Sequence, residues 1–280
     1  MIISPFTPIF FNREHRSGGR PSRYEQTFAV TDRPLLEVIL GADEDVPVIR
    51  LYNADTDAEI GIITPQIWEI NDETKLAFAT LAFGVGHYAL AVGDILSRCF
   101  RVTDNPRILA NTSLIQYSMG TNRNRTDAVF VIDGMQRFFD FRVAGGFTDG
   151  NYTFAATCET FTTDKGDLIQ LYGMETTQKR FILGDCEGVP VWHAELFNRI
   201  LSCSYVYIDG ERYCRADGAA PEGTQIVEGC DSMTYLQTLQ KVRMIDPAIE
   251  AENQKLIRRV SGYAPVGTVS RIVTEKLRTI

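Results

Sequence analysis

The stretch "SYVYIDGERYCR", residues 204–215, alternates bulky and polar residues around an Asp-Gly pair. A second stretch, "VFVIDGMQRFFDFR" at 129–142, repeats Ile-Asp-Gly between aromatic, alternating flanks. Aspartate and glycine tolerate the positive φ that a type I′ turn requires at both central positions, and this turn matches the twist of the strands it joins. Both stretches are therefore predicted to be β-hairpins, whose aspartates form turns and perform no catalysis.

A two-residue turn also predicts the register of each hairpin. The expected pairs are Ile208–Glu211, Tyr207–Arg212 and Val206–Tyr213 in one copy, and Ile132–Met135 and Phe130–Arg137 in the other. Alternation then places Val206, Ile208 and Tyr213 on one face. On the opposite face, a contact between Arg212 and Tyr205 or Tyr207 is expected to contribute about 0.5–1 kcal/mol.

Most of the remaining chain consists of short runs rich in β-branched and aromatic residues, separated by glycine, proline, aspartate and asparagine. In the first half these runs are 24–30, 35–40, 46–53, 75–83, 87–94 and 97–104. Their spacing is typical of a β-sandwich, and "TDNPR" at 103–107 is a natural linker after it. A second set of β segments follows from Ile108 to Met244. The chain is thus predicted to be mainly β.

One segment has helical rather than strand periodicity. "VPVWHAELFNRILSCS", residues 189–204, places Trp192, Leu196 and Ile200 at positions i, i+4 and i+8, which is the spacing of one helix face. Pro190 fits the entry of such a helix. We predict one short helix near 190–202.

The two ends of the chain differ from this body. Residues 13–23 combine arginines and a histidine with glycine and serine, which is typical of a mobile arm. Asp246 and Pro247 begin a helix-like segment that "SGYAPVG" ends. The predicted organisation is an N-terminal arm (1–23), a β-sandwich domain (24–106), a second β domain (107–245) and a C-terminal arm (246–280), with both arms crossing to neighbouring subunits.

The composition excludes several classes of protein. The net charge of −8 and the pI near 5.0 argue against a general nucleic-acid-binding surface, because phosphate neutralisation needs clustered lysine and arginine. The sequence contains no run of about eighteen apolar residues, so no transmembrane helix is expected. The apolar start lacks the basic region and cleavage site of a signal peptide, so none is expected.

Catalytic and metal-binding patterns are weak. Cys186 or Cys203 could be a nucleophile with His193 as its base, but a structural histidine on an apolar helix is the favoured interpretation. Asp55, Asp57 and Glu59 have the spacing of part of a calcium loop but lack its central glycine and distal glutamate. We therefore predict no catalytic, cofactor or metal site, and no cofactor.

The cysteines and tryptophans each allow two interpretations. Cys203 and Cys214 flank the second Asp-Gly turn and could pair, although free thiols in a reducing compartment are favoured. Exposed Trp68 or Trp192 could stack on a sugar, but phenylalanine outnumbers tryptophan by 16 to 2, which favours core and interface roles.

Several segments resemble one group of proteins. They are the "SPFTPIFF" start, "LIQYSMGTNRNRTDAVF", "FFDFRVAGGF" and "CEGVPVWHAELFNRILSCSYVYIDGERYCRADGAAPE". The chain is similar, over most of residues 24–245, to virion structural proteins of the tail or neck in Bacteroidales phages and prophages, including crAss-like phages. The shared landmarks are an aromatic GGF after the first hairpin, a GVP-W helix and the C-terminal hairpin. The group has no catalytic motif.

The resemblance implies immunoglobulin-like or related β-sandwich modules in a structural subunit that forms a homo-oligomeric ring. The expected partners are copies of itself and neighbouring tail or neck proteins, without a membrane or specific nucleic acid, although the ring could leave a passive DNA channel. The expected location is the virion, assembled in the host cytoplasm. One alternative is a receptor- or carbohydrate-binding module at the tail tip, which uses Tyr205 and Tyr207 or the Asp55–Glu59 loop. The other is a hydrolase that uses Cys203 or Cys186.

Overall fold

The fold is mainly β, as the sequence predicts. The computed structural model describes residues 1–11, 22–123, 125–216, 218, 220–226, 229–243 and 246–258, and of residues 148–151 only the backbone. The described part contains three helices among its strands. Most of the basic stretch predicted to be a mobile arm, residues 13–23, lies outside the described residues.

The first half of the chain forms two packed sheets. Its strands are β1 (Ile2–Ile3), β2 (Gln26–Ala29), β3 (Leu35–Gly41), β4 (Ile49–Asn53), β5 (Glu59–Ile63), β6 (Gln66–Asn71), β7 (Thr74–Thr80), β8 (Gly86–Val92), β9 (Ile95–Leu96) and β10 (Phe100–Thr103). One sheet has the order β1-β3-β7-β6, and the other β2-β10-β8-β4-β5 with β9 beside β8. Residues of both sheets meet in one apolar core around Val38, Leu90 and Phe100.

The second half is built on one large sheet. Its elements are α1 (Pro106–Leu109), β11 (Thr112–Ser118), β12 (Val131–Ile132), β13 (Met135–Gln136), β14 (Phe139–Thr162), β15 (Leu168–Leu183), α2 (Val191–Ile200), β16 (Tyr205–Ile208), β17 (Glu211–Arg215), β18 (Glu222–Gln225), β19 (Met233–Lys241) and α3 (Pro247–Leu256). The sheet order is β15-β14-β11-β16-β17-β19-β18, with β19 also paired to β15. Helix α2 lies within the predicted range and buries Leu196, Phe197 and Ile200.

Both Asp-Gly hairpins form as predicted. Asp133 and Asp209 have φ of 50° and 51°, and each following glycine is also positive, as a type I′ turn requires. The pairs Ile208–Glu211, Tyr207–Arg212 and Ile132–Met135 are all present. The aspartates also accept hydrogen bonds: Asp209 from the Leu114 backbone N–H at 2.9 Å, and Asp133 from the Trp68 indole at 3.2 Å.

Strands β5 and β6 were absent from the predicted runs. In β5 the residues alternate poorly, because Gly61 interrupts the strand and a register shift falls beside it in the pairing with β4. In β6 only Trp68 and Ile70 turn towards buried neighbours. A strand with one exposed face and one only partly buried face has a weak hydrophobic pattern.

The prediction of an N-terminal arm is wrong for residues 1–11. Strand β1 pairs with β3, and Phe6 is fully buried in the core of the second half. The hydroxyl of Tyr117 donates to the Phe6 carbonyl, and Gln26 donates to the Pro8 carbonyl at 2.7 Å. These residues are apolar because they pack within their own chain.

The prediction of a C-terminal arm is also wrong for residues 246–258. Helix α3 begins as predicted, with the Asp246 carboxylate accepting from the Ala248 N–H at 2.8 Å. The helix lies on the body, where Glu250 accepts from the Tyr207 hydroxyl at 2.8 Å and Asn253 donates to it at 3.2 Å. Arg258 then pairs with Asp140 at 2.6 Å. Residues 259–280 lie outside the described residues.

Buried ion pairs join the two halves across the boundary predicted near residue 106. Arg142 makes two hydrogen bonds to the Asp32 carboxylate, at 2.6 and 2.9 Å, with both side chains 1% exposed. Arg137 contacts Glu37 at 2.7 Å. Burial raises the pKa of Glu37 to about 7, against the opposing effect of the Arg137 guanidinium. These polar contacts fix how the halves pack, because each buried charge needs its partner.

Candidate functional site

A two-stranded ribbon extends from the large sheet. Strands β14 and β15 pair continuously from Tyr152–Lys179 to Thr162–Leu168, apart from one register shift. On one side β11 pairs with β14 only as far as Ala144, and on the other β19 pairs with β15 only from Gln178 onwards. Residues 152–177, here called the projecting hairpin, therefore have two strand edges that no other described strand pairs with.

The projecting hairpin exposes large apolar side chains. The exposed fractions are 42% for Tyr152, 77% for Phe154, 53% for Phe161, 70% for Leu168, 46% for Ile169, 61% for Leu171 and 49% for Tyr172. Soluble monomers rarely gather so many apolar groups on one projection, and an isolated two-stranded hairpin is marginally stable in water. Among the described residues, none covers these side chains.

The apolar groups lie on both faces of the hairpin. Side chains alternate along a strand, so Phe154 and Phe161, seven residues apart in β14, face opposite sides. Phe161 pairs directly with Ile169 on its face, whereas Phe154 lies opposite Thr177. The ring of Phe154 stacks on Tyr152, with centroids 6.0 Å apart. A covering molecule would have to contact both faces to bury all of these rings.

A structured polar turn closes the hairpin. The Thr163 N–H donates to the Asp167 carbonyl at 2.9 Å, and the Gly166 N–H donates to the Thr163 carbonyl at 2.8 Å. The Thr163 hydroxyl accepts from the Asp167 N–H at 3.0 Å. Gly166 has a φ of +87°, which glycine adopts without strain. The carboxylates of Asp164 and Asp167 are left at the surface of a turn that does not depend on them.

The sequence predicts strands here but not their projection. "YTFAATCETF" and "LIQLYGMETTQKRFILGD" read as ordinary strands because their residues have high β propensity. The available signal is that their apolar residues do not keep to every second position, so neither face could be a core face. This irregular pattern indicates strands that leave the sheet.

The candidate calcium residues do not form a cation site. Asn53 accepts hydrogen bonds from the backbone N–H groups of Asp55 and Thr56 at 2.9 and 3.2 Å, so the segment is a tight turn between β4 and β5. Asp55 contacts His87 Nδ1 at 2.8 Å, and Arg101 donates to the other ring nitrogen at 3.1 Å. Within the described residues, no three potential metal ligands come together.

The candidate thiol–histidine pair has unsuitable surroundings. His193 is fully buried, lies against the Trp192 ring with centroids 3.7 Å apart, and has no hydrogen bond at either ring nitrogen within the described part of the chain. Burial raises the pKa of Cys203 to about 12, whereas a nucleophilic thiol needs a lowered pKa. Cys186 is exposed in the loop before α2. His193 is thus a core residue.

The buried His193 predicts a pH dependence of stability. Burial, assisted by Arg98, lowers the pKa of His193 well below its usual value, so the folded chain keeps it neutral while the unfolded chain binds a proton below a pH of about 6.5. Stability is therefore complete above that pH and falls below it, by up to about 1.4 kcal/mol per pH unit. Urea unfolding of His193→Phe near pH 7.5 and near pH 5 should show a smaller fall than wild type. An equal fall in both chains would contradict this role.

The candidate sugar-binding side chains pack against neighbours, and the candidate disulfide is not formed. Tyr207 is fully buried, whereas Tyr205 lies under the Arg212 guanidinium, 4.8 Å from its ring centroid, which confirms the predicted tyrosine–arginine contact. Cys203 and Cys214 are both free thiols. Trp192 stacks on Phe10, with centroids 4.4 Å apart. An exposed tyrosine pair at 205 and 207 is therefore not available to a sugar.

Comparisons with known proteins add no relative to these observations. No protein-family model, no curated protein and no solved structure matches the chain. The three helices of the described residues are each too short or too polar to cross a membrane.

Proposed function

We propose that this chain is a structural subunit of a phage tail or neck, which assembles into a homo-oligomeric ring through its projecting hairpin. The supporting observation is the hairpin itself, with open edges and apolar side chains on both faces. In this proposal the subunit consists of immunoglobulin-like or related β-sandwich modules. Its partners are its own copies and neighbouring tail or neck proteins, and its location is the virion, after assembly in the host cytoplasm.

The physical logic of a ring suits a projecting hairpin. A head-to-tail contact joins two different surfaces of the same chain and closes into a ring if its rotation allows. A ribbon that reaches a neighbour contributes both main-chain hydrogen bonds at its edges and side-chain contacts on its faces. The internal hairpin thereby takes the role that the sequence assigned to the arms 1–23 and 246–280, of which residues 1–11 and 246–258 pack within their own chain.

Deleting the hairpin should abolish assembly and leave the body folded. Residues 153–178 can be replaced by Asn-Gly, because Tyr152 and Lys179 are paired and Asn-Gly forms the two-residue turn that such a pair requires. Light scattering across a range of concentrations should show an oligomer for the wild type and a monomer for the deletion. Circular dichroism should show a melting temperature within a few degrees of wild type, because most hairpin side chains are exposed.

The deletion gives the proposal a clear negative outcome. A shortened chain that is folded and still assembles would exclude the hairpin as the assembly element. Phe154→Ser and Phe161→Ser in the intact hairpin then show which face contributes, because these two phenylalanines are both exposed and lie on opposite faces.

A further inference from the structure

A groove lies between the N-terminal segment and helix α2. It has a volume of about 200 Å³. Ile9, Phe11 and Leu196 are among its lining residues and are nearly buried. Phe10 and Trp192, stacked on each other, form another part of the lining. A cavity of about 150 Å³ accommodates a benzene ring, so the groove is large enough for one phenyl side chain.

Two arginines and one glutamate lie at or beside the groove, so its surroundings carry more positive than negative charge. Arg98 lies beside Phe10, with its guanidinium 5.9 Å from the ring centroid, and forms no ion pair within the described residues. Arg199 lines the groove, and its side chain is 39% exposed. Glu195 approaches Arg199 only to 3.9 Å, a separation at which an exposed pair contributes little. The groove thus offers an apolar lining with Arg199 in its wall and Arg98 beside Phe10.

The tip of the projecting hairpin has the complementary pattern. Phe161 and Ile169 form a cross-strand pair on one face, and both side chains are about half exposed. Asp164 and Asp167 follow in the adjacent turn. The tip is therefore an apolar pair next to a turn with two carboxylates and one lysine, Lys165, and the groove is an apolar lining next to two arginines and Glu195.

We propose that the hairpin tip of one copy inserts into this groove of a second copy, with Phe161 in the groove and Asp164 and Asp167 facing Arg98 and Arg199. The inference rests on the proposed ring and specifies its contact. Among the described residues of one chain the tip is exposed and does not contact the groove. Two different surfaces on one chain produce a head-to-tail contact, which a ring requires.

Charge reversal tests this contact. Asp164→Lys with Asp167→Lys, and separately Arg98→Glu with Arg199→Glu, should each weaken self-association by at least about 100-fold, because each places like charges together. Combining all four changes should restore association to within about tenfold of wild type. Asp43→Lys with Asp45→Lys is the matched control, since it makes the same charge change in an exposed turn and should leave association within about threefold.

Mixing the two charge-reversed chains should restore assembly with the two chains alternating. The lysine tip of one chain meets the glutamate groove of the other, and the aspartate tip of the other meets the arginine groove of the first, so both contacts between unlike chains are attractive while like chains repel. Sedimentation velocity should detect species larger than a dimer for the equimolar mixture and a monomer for each chain alone, and a mixture that stays monomeric would contradict the contact.

The outcomes separate this contact from the ring itself. If wild type assembles and the groove variants assemble equally well, the groove is excluded while the hairpin can still build the ring through another surface, such as edge-to-edge pairing of hairpins. If the variant with all four charge reversals does not regain association although every variant remains folded, the pairing of tip and groove is wrong. A wild-type chain that stays monomeric at all concentrations contradicts both the ring and this contact.

Discussion

Replacing Arg142 with methionine should destabilise the folded chain by about 3–5 kcal/mol, because it leaves the Asp32 carboxylate buried without its counter-charge. Both side chains are 1% exposed. The guanidinium donates twice to Asp32 and once to the Thr112 hydroxyl, at 3.0 Å. Asp32 also accepts from the Ala29 N–H at 2.7 Å. Urea unfolding at neutral pH measures the loss of free energy directly.

The double variant Asp32→Asn/Arg142→Met identifies the cause. If the loss comes from an uncompensated charge, removing both charges should cost clearly less than Arg142→Met alone, since neutral replacement of a buried pair is often tolerated. Asparagine can still accept from the Ala29 N–H. A double variant at least as unstable as the single one would assign the effect to lost packing instead.

Ending the chain after residue 245 should destabilise it by about 3 kcal/mol or more, the cost of opening buried polar contacts. The truncation removes Glu250 and Asn253 from the buried Tyr207 hydroxyl and Arg258 from Asp140. Burial raises the pKa of Asp140, and Arg258 is the largest of the effects that oppose it. Deleting residues 246–280 would thus lower the stability of the folded chain as well as remove any contact that this segment makes in assembly.

A chain that ends after Arg258 is the matched control. It keeps α3 and the Arg258 contacts to Asp140 and to the Thr31 carbonyl, so its thermal midpoint should stay within a few degrees of wild type. Differential scanning calorimetry of both truncations compares them. Equal midpoints for the two truncations would show that α3 contributes nothing to stability.

Local rules in the sequence predicted much of the fold. The Asp-Gly turns fix both φ values and register within four residues, and the expected pairs Ile208–Glu211, Tyr207–Arg212 and Ile132–Met135 all formed. Helix α2 was predictable because a 3.6-residue period places Leu196 and Ile200 on one buried face. These signals depend on neighbours in the sequence, which is why no knowledge of the tertiary structure was needed.

The errors arose where distant residues decide the outcome. Phe6 looks like part of a free arm until Tyr117 and Phe130 are found packed against it. The Arg142–Asp32 pair joins residues 110 positions apart, and no local pattern marks it. For the hairpin, composition gave the strands, but only the ends of β11 and β19 show where its edges become open.

The open edges of the projecting hairpin also bear on the free subunit before it meets a neighbour. Unpaired strand edges beside exposed apolar rings are templates for non-specific strand pairing and aggregation. Along this ribbon the three carboxylates of Glu159, Asp164 and Asp167 outnumber the single ammonium group of Lys165, while Glu175 pairs with Arg243. Charges placed in this way act as gatekeepers against aggregation. Repulsion between the carboxylates of two hairpins would discourage disordered aggregation of newly made copies. In the proposed assembly, the contact of a hairpin with the arginine-flanked groove is therefore favoured over a contact between two hairpins.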